Sequence, residues 1–353
     1  GEGTLLPPLS AALALSMAAN GADGETLDQF REVLGDGASL EALNVSCSAL
    51  MKLYGGLGGS TECSIANSLW TDPEGRMQED FVGRCSGIFD AQVFQEDLSA
   101  PVIVPALNSW VSDHTAGMIP QIIQRPFGED AAALMVNALY LKNTWAAKFD
   151  PSDTITRDFT RADGTAEPLD FLQHFSRSLT YLQSGSDEGV LLPYDDGRLA
   201  FFALMPRQSS GVPDFERWLS SLTGEGLSAL LSGRDETFFL RLSLPKFEQE
   251  WSGELKDALA ALGLTDAFDP DLADFSLLGD DPRGYYLSQV IHAARIEVNE
   301  EGTEAAAATV VAAASGAAPP QEGVTLIFDR PFLYGIVDLQ NGVPLFLGTF
   351  EGL

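Results

Sequence analysis

The spacing of hydrophobic and polar positions changes along the chain, from a helical period early on to strand-like runs later. Over residues 23–34 the apolar side chains fall on one side of a helix that ends before Gly35. The same spacing predicts further helices over 9–20, 107–118 and 255–262. Most of the predicted helices therefore lie in the first third of the chain.

Strand patterns dominate the remainder. Residues 133–140 form a near-continuous apolar run, which is typical of a strand buried on both faces. Further runs predict strands over 64–70, 190–192, 199–205, 238–244, 285–298, 324–328, 332–338 and 344–350. No linker, internal repeat or regular βαβ alternation is visible. The pattern therefore predicts an α+β fold in a single domain that spans 1–353.

Composition narrows the possible partners. Of the 353 residues, 45% are hydrophobic, as in globular proteins with a substantial core. No apolar stretch reaches the roughly 18 residues that cross a bilayer. A net charge of −31 disfavours nucleic acid, anionic membranes and heparin, because such polyanions bind clustered Lys and Arg. The first residues carry no basic and apolar leader, so a signal peptide is absent or already removed.

Residues that usually carry chemistry are scarce. Cys47, Cys63 and Cys85 form no C-x-x-C pair and are expected to be buried free thiols. Standard nucleophile, phosphate-binding and zinc motifs are missing, and the chain has three histidines. One of them, His292, lies inside the predicted strand 285–298, where a structural role is the default interpretation. The sequence predicts no enzyme, no metal site and no cofactor; an acidic hydrolase is the alternative that these motifs disfavour.

The segment 296–320 has the most unusual composition in the chain. Its acidic start ends at Glu301 and is followed by Gly302. From Ala305 to Pro320 it carries no charge and consists mostly of small side chains. Such a stretch suits neither an ordinary exposed loop nor a packed core element. We therefore expect a segment that occupies both environments at different times.

Residues 299–309 resemble the proximal hinge of the reactive-centre loop in inhibitory serpins. Other blocks resemble serpin motifs in the same order along the chain: 66–70, 108–119, 136–145, 244–247, 262–268, 273–276, 329–332 and 344–348. On this resemblance the chain is identified as a member of the serpin family. The resemblance implies N-terminal helices, large and mainly antiparallel sheets, and an exposed reactive-centre loop at about 300–322. On the same resemblance we expect the family's first helix to be missing before Gly1, through truncation or real absence.

The resemblance implies a function as a suicide-substrate inhibitor of serine proteases. A protease cuts the exposed loop, forms an acyl-enzyme ester, and is trapped when the loop inserts into the main sheet as a new strand. The implied partner is therefore the target protease, held in a covalent complex by a monomeric inhibitor. We expect a secreted or extracellular protein, with a cytoplasmic location as the alternative.

The hinge residues implied by the resemblance supply a pivot followed by side chains small enough to slide between strands. They are Glu300, Gly302, Thr303, Glu304, Ala305, Ala306, Ala307 and Ala308. Gly302 is expected to provide permissive backbone torsions. Two alternatives stay open: a flexible Ala-rich linker, and a non-inhibitory serpin that acts as a binding or chaperone protein. Such relatives typically carry prolines or bulky side chains in the hinge.

The family's spacing places the reactive bond between Gly316 and Ala317, with a shift of one or two residues as the alternative. Every residue from 314 to 318 is small, which implies elastase-, subtilisin- or chymotrypsin-like targets. The resemblance also implies supporting residues around the sheet opening: Ser10, Asn137 and His292 in the shutter, and Trp145 and Lys246 in the breach. Asn137 and His292 are expected to share a hydrogen bond, and Lys246 to pair with Glu300. Pro7 stands where the family usually has a serine.

Overall fold

The computed structural model describes residues 3–58, 60–129, 131–176, 179–207, 214–235, 239–281, 284–303 and 323–353. Within this part of the chain, the α-helices are α1 Pro8–Ala19, α2 Gly24–Gly35, α3 Leu40–Gly55, α4 Glu79–Phe89, α5 Ile103–His114, α6 Phe215–Ser221, α7 Gly224–Ser232 and α8 Lys256–Ala261. None of these helices is long and apolar enough to cross a membrane.

The strands of the described residues are β1 Leu5–Leu6, β2 Glu62–Thr71, β3 Arg76–Met77, β4 Gln92–Gln95, β5 Ala133–Thr144, β6 Ile155–Thr160, β7 Ala166–Ser176, β8 Thr180–Ser184, β9 Asp187–Pro193, β10 Leu199–Pro206, β11 Arg234–Asp235, β12 Phe239–Pro245, β13 Phe247–Glu254, β14 Gly279–Asp280, β15 Leu287–Val298, β16 Gly302–Thr303, β17 Gly323–Ile327, β18 Phe332–Asp338 and β19 Pro344–Phe350. With helices concentrated early and long strands later, the predicted α+β class is confirmed.

Three large sheets organise these strands. The main sheet has the order β13-β15-β16-β5-β2-β4, and a second sheet has the order β1-β19-β18-β10-β9-β8-β11. A third sheet, β17-β12-β7-β6, is smaller. Most neighbouring strands are antiparallel; β15–β5, β2–β4 and β12–β17 are parallel pairs. The predicted predominance of antiparallel pairing is therefore correct.

One continuous core joins α1 to the main and second sheets. Leu13 of α1, Leu139 of β5, Phe201 of β10 and Tyr334 of β18 belong to the same buried cluster. Helix α1 is apolar on nearly all sides, as expected for a helix enclosed by sheets, and it begins with a proline at its first turn. On the opposite face of the main sheet, α5 packs against β2 and β5 through a second cluster that includes Trp110.

The predicted strand 344–350 and helix 23–34 agree closely with β19 and α2, whereas the helix predicted over 107–118 is displaced. Helix α5 begins at Ile103 and ends at His114. Ala116 and Gly117 have φ values of 51° and 80°, a left-handed conformation that cannot continue a helix. Gly117 therefore lies beyond the end of the helix, as expected, but the turn between His114 and Gly117 is not helical.

The three cysteines are free, as predicted, and two of them are buried. Cys47 and Cys85 lie in the core, while Cys63 is only half-buried. Burial raises the pKa of Cys85 to about 12, so this thiol is protonated and unreactive at neutral pH.

Candidate functional site

The main sheet contains a seam between β5 and β15 that is closed along most of its length. Seven register pairs join the two strands in parallel, from Leu287 opposite Ala133 to Ala294 opposite Leu139. Beyond Ala294, the two-residue strand β16 lies between them. Its Thr303 is opposite Val298 of β15 on one side and Asn143 of β5 on the other. The predicted hinge thus already occupies the first position of an additional strand.

Gly302 permits this close approach by lacking a side chain. A Cβ atom at this position would lie 2.0 Å from the carbonyl oxygen of Asn143 and 2.9 Å from the Cα of Thr144. Neither the oxygen nor the Cα can move away, because both belong to the backbone of β5. In this conformation φ of Gly302 is not positive, so its place in β16 rests on steric room against β5 and not on a left-handed torsion. Its role as a pivot during insertion stays a prediction.

Thr303 is held by a buried aromatic pair. Its side chain is 2% exposed, and its Oγ1 atom is hydrogen bonded to the hydroxyl of Tyr194. The ring of Tyr194 stacks on that of Trp145, with centroids 4.8 Å apart and planes 5° from parallel. Trp145 Nε1 in turn donates to the carbonyl of Asn299 at 2.8 Å. Burial raises the pKa of Tyr194, which keeps its hydroxyl protonated and available for hydrogen bonding.

A tight turn precedes β16 and is fixed to the chain that follows β5. The Oδ1 atom of Asn299 accepts hydrogen bonds from the backbone N–H groups of Glu301 and Gly302, at 3.0 and 3.3 Å. The N–H of Trp145 donates to the carbonyl of Glu301 at 2.9 Å, and that of Phe149 to the carbonyl of Glu300 at 3.0 Å. The turn therefore fixes the position at which β16 begins.

Charged side chains reinforce this turn. Lys246 Nζ lies 2.9 Å from Glu300 Oε2, as the resemblance implied, and Thr154 donates to Glu300 Oε1 at 3.0 Å. Lys148 pairs with Glu301. Burial alone would raise the pKa of Glu300, but the hydrogen bonds from Lys246 and Thr154 hold that pKa below its usual value. Glu300 is therefore ionised at neutral pH, and its carboxylate accepts hydrogen bonds from Lys246 and Thr154.

The shutter residues form a polar cluster beneath the seam, with partners that differ from those expected. Ser10 Oγ donates to Asn137 Oδ1 at 2.6 Å, and Asn137 Nδ2 donates to Asn67 Oδ1 at 2.8 Å and to the carbonyl of Ala66 at 3.2 Å. The cluster therefore ties β5 to α1 and β2, on one side of the seam.

The expected hydrogen bond between Asn137 and His292 is not formed. The two residues lie opposite each other in the register of β5 and β15, but the Asn137 amide is already engaged on its own side of the seam. His292 is 1% exposed, and its Nε2 atom has no hydrogen-bond partner among the described residues. At this level the seam is therefore held by the backbone ladder and packing, without a side-chain hydrogen bond across it.

We expect buried His292 to make the protein acid-sensitive. Burial lowers its pKa to about 3, so the imidazole stays neutral in the folded protein while it gains a proton in the unfolded chain below about pH 6.5. Because the folded pKa is depressed, its contribution to stability is complete above about pH 6.5 and decreases as the pH falls towards 3. The slope is about 1.4 kcal/mol per pH unit, or about 2 kcal/mol between pH 6.5 and 5.

Urea unfolding at these two pH values, compared between the wild-type chain and His292→Gln, measures this contribution. The variant should lose less stability on acidification by about 2 kcal/mol. His174, whose pKa is also lowered by burial, is present in both proteins and cancels in the difference. Equal pH dependence in both proteins would show that His292 is not buried as a neutral side chain.

Several predicted residues lie outside the described residues. They are Glu304, Ala305, Ala306, Ala307 and Ala308 of the hinge, and Gly316 and Ala317 of the reactive bond. Conversely, sequence reasoning missed Tyr194, Asn67 and Asn299 as members of the site. The motif around Asn67 and the position of Asn299 at the start of the hinge were available signals, whereas nothing in the sequence near Tyr194 links it to Thr303. Among the described residues, no group of three or more His, Cys, Asp or Glu side chains is placed to hold a metal ion.

Comparisons with known proteins agree with this geometry. Serpin-ZXA of Oryza sativa subsp. japonica is 32% identical, over 99% of this chain and 89% of its own length. Among solved structures, the thermophilic serpin tengpin in its native state has a TM-score of 0.92 at 32% identity, covering 100% of this chain and 89% of tengpin. Tengpin in its latent state gives a lower TM-score of 0.83 at 30% identity, covering 100% and 92%. The described conformation is thus more similar to the native state than to the latent one.

The fold is also found in thyroxine-binding globulin complexed with thyroxine, with a TM-score of 0.87 at 22% identity, covering 99% of this chain and 93% of that protein. At this identity the likeness concerns the fold alone. The family model described as "Serpin (serine protease inhibitor)" matches residues 1–352. With a match over nearly its whole length, the chain belongs to the serpin family.

Proposed function

We propose that the chain is a suicide-substrate inhibitor of serine proteases, cleaved between Gly316 and Ala317. The catalytic serine of the protease attacks the carbonyl carbon of Gly316, and the amine of Ala317 leaves with a proton from the catalytic histidine. The ester that remains joins the protease to Gly316. Insertion of the cut loop between β5 and β15 would then carry the protease away before water hydrolyses the ester.

The observation that supports this proposal most directly is the position of β16. Gly302 and Thr303 occupy the first place of a strand antiparallel to both β5 and β15, above a seam that is otherwise closed. Extending the same register by ten residues would bring Ala313 opposite Ala133, the first residue of β5. Gly316, which precedes the proposed reactive bond, is three residues beyond Ala313, so the bond lies a short distance past the length of chain that fills the seam.

The same register explains why cleavage must precede full insertion. From Thr303 to Gly316 an extended strand would run about 44 Å along the sheet. The seven residues from Gly316 to Gly323 can span at most about 25 Å back. Gly323 is paired with Phe239 in the third sheet. This sheet lies beside the hinge, because the ring centroid of His174 in β7 is 5.5 Å from that of Phe149, and the N–H of Phe149 donates to the carbonyl of Glu300. An uncut loop is thus too short to fill the seam while β17 keeps its place.

Insertion also has a favourable energy. One parallel pairing between β5 and β15 would be replaced by two antiparallel pairings with the new strand, which adds about ten backbone hydrogen bonds. At about 1 kcal/mol net for each bond, the gain is about 10 kcal/mol. This is far larger than the helix preference that opposes alanine in a strand, a few tenths of a kcal/mol per residue.

The protease class follows from the side chains around the proposed bond. Residues 314–318 are all small, and no Lys or Arg occurs from 304 to 322. Pancreatic elastase or subtilisin incubated with an equimolar amount of the chain should lose its activity with time, whereas trypsin should keep it. The peptide released on denaturation should begin with Ala317. A fully active elastase or subtilisin in the presence of cleaved chain would contradict the proposal.

A non-inhibitory carrier or chaperone is the alternative within the same fold. The serpin family consists mainly of protease inhibitors, but it also includes proteins that use the fold for binding. The preformed start of β16 and the small residues Ala305–Ala308 favour inhibition, because a carrier has no need of a strand that can extend into the seam. The alternative predicts that cleavage of the loop leaves the thermal stability unchanged.

A further inference from the structure

The turn that joins β9 to β10, residues 194–198, lies against the upper end of the main sheet beside the hinge. Its Tyr194 is hydrogen bonded to Thr303 of β16. The next residue, Asp195, donates its backbone N–H to the carbonyl of Thr144, the last residue of β5, at 2.9 Å. This turn of the second sheet therefore contacts both β16 and the end of β5.

Asp196 uses one carboxylate oxygen for this turn and the other for the main sheet. Its Oδ1 atom accepts hydrogen bonds from the backbone N–H groups of Arg198 and Leu199, both at 2.8 Å. Its Oδ2 atom accepts from Asn143 Nδ2 at 2.7 Å and from the hydroxyl of Thr61 at 2.6 Å. Both donors are buried; Asn143 lies in β5, and Thr61 directly precedes β2. One side chain of the turn thus holds the upper ends of two strands of the main sheet.

The position of Asn143 is important because β5 and β15 diverge just before it. Leu139 of β5 is paired directly with Ala294 of β15. At Asn143, by contrast, Thr303 lies between the two strands. Neighbouring strands are about 4.8 Å apart, so the separation of β5 from β15 grows by about that distance between residues 139 and 143. The upper end of β5 therefore already has the separation that an additional strand would need along the rest of the seam.

The contact from Asp196 is well placed to maintain this separation. The part of β16 that the structure describes has two residues and can supply only a few backbone hydrogen bonds. The bonds to the Asp196 carboxylate are charge-assisted, and such bonds are about twice as strong as those between neutral groups. Arg198 of the same turn forms an ion pair at 2.7 Å with Asp338, which is buried in β18. Asp196 therefore holds β5 from a turn that is itself fixed to the second sheet.

We propose that Asp196 is a positioning residue of the trapping step, an assignment that rests on the proposed inhibitory function. It acts through Asn143 and holds the upper end of β5 one strand spacing away from β15, so that the cut loop enters a gap that is already open. The lower part of β5 then moves away from β15 while the upper end stays in place. Without this contact the upper end moves back towards β15, and the loop must first separate the strands again. Insertion then becomes slower relative to hydrolysis of the ester.

The isosteric variant Asp196→Asn tests this assignment. An amide has one acceptor oxygen where the carboxylate has two, so it cannot accept hydrogen bonds from the turn and from the main sheet together. The number of inhibitor molecules consumed per inactivated elastase or subtilisin should rise at least about threefold, because hydrogen bonds to a charged group are lost. The rate of loop cleavage should equal that of the wild type, because the substitution leaves the loop unchanged.

Exchanging the two side chains separates the contact with β5 from the shaping of the turn. Asn143→Asp places two carboxylates against each other and should raise the stoichiometry as Asp196→Asn does. In Asp196→Asn/Asn143→Asp the amide and the carboxylate change places, so the hydrogen bond can form in the opposite direction. This double variant should inhibit with nearly the wild-type stoichiometry, which a role of Asp196 in its own turn would not produce. Asn143→Asp also tests the contact if Asp196→Asn does not fold.

Asp163→Asn is the matched control, because Asp163 shapes a turn between β6 and β7 in the third sheet. Its Oδ1 atom accepts hydrogen bonds from the N–H and the hydroxyl of Thr165, at 2.9 and 2.6 Å. This control should inhibit with the wild-type stoichiometry. Wild-type stoichiometry in Asp196→Asn, or a raised stoichiometry that the exchange does not restore, would overturn the positioning role while leaving inhibition intact. Failure of the wild-type chain to inhibit either protease would contradict the proposed function instead.

Discussion

Replacing Thr303 by arginine should turn the inhibitor into an ordinary substrate of the same protease. Thr303 is 2% exposed, lies between β5 and β15, and bonds to the hydroxyl of Tyr194. A guanidinium cannot be accommodated there without a counter-ion, and burying an unpaired charge costs several kcal/mol. Insertion should then be slower than hydrolysis of the ester. The number of inhibitor molecules consumed per inactivated elastase should rise at least about tenfold.

Thr303→Val provides the control for this substitution. Valine keeps the β-branched shape that suits a strand and removes only the hydroxyl that bonds to Tyr194. This variant should remain an inhibitor with a stoichiometry close to that of the wild type. If Thr303→Arg inhibits with unchanged stoichiometry, Thr303 does not enter the sheet during inhibition.

Cleavage of the loop should raise the thermal unfolding midpoint by at least about 10 °C. The physical reason is the seam: ten further residues can extend β16 along β5, and the gain of about 10 kcal/mol stabilises the cleaved state. For a chain of this size each kcal/mol raises the midpoint by about 1 to 2 °C, a little less than in smaller domains. Differential scanning calorimetry before and after limited cleavage by elastase measures the shift.

The control is a sample incubated with elastase whose catalytic serine has been chemically blocked. Its midpoint should equal that of the untreated chain, which separates the effect of cleavage from that of binding. A cleaved chain that unfolds at the original temperature would show that the loop does not insert, and would favour the binding or chaperone alternative.

The hinge can be predicted from sequence because the properties expected of it are local. A glycine followed by a run of small side chains without proline meets the steric needs of an entering strand, whatever surrounds it. The structure adds a second requirement for Gly302, because the backbone of Asn143 and Thr144 leaves no room for a Cβ atom there. That contact joins residues far apart in the chain, and no local pattern reveals it.

In the shutter, too, the hydrogen-bond partners could not be predicted from the sequence. The resemblance placed Ser10, Asn137 and His292 in one region, and the structure brings them together there. It did not indicate that Asn67 would satisfy the Asn137 amide and leave His292 without a side-chain hydrogen bond across the seam. Hydrogen-bond partners depend on which side chains meet in three dimensions, and Asn67 is seventy residues away in the sequence.

Among the secondary elements, helices with weak local signals were the hardest to predict. Helix α4 buries Phe81, Cys85 and Phe89, which are spaced four residues apart, but glycines at 83 and 87 lower its intrinsic helix preference. Packing of those three side chains against the core outweighs that loss. The long apolar strands β5 and β15 were predicted because burial on both faces leaves a continuous hydrophobic run.

Denaturing gel electrophoresis of an equimolar mixture with elastase or subtilisin tests the covalent trapping of the protease. We expect a band heavier than either protein, which survives boiling in detergent because an ester joins the catalytic serine to Gly316. Mass spectrometry of that band should recover the protease attached to a fragment that ends at Gly316. Complete cleavage of the loop with no such band, and with full protease activity in the same mixture, would show that the chain is a substrate and does not trap the protease.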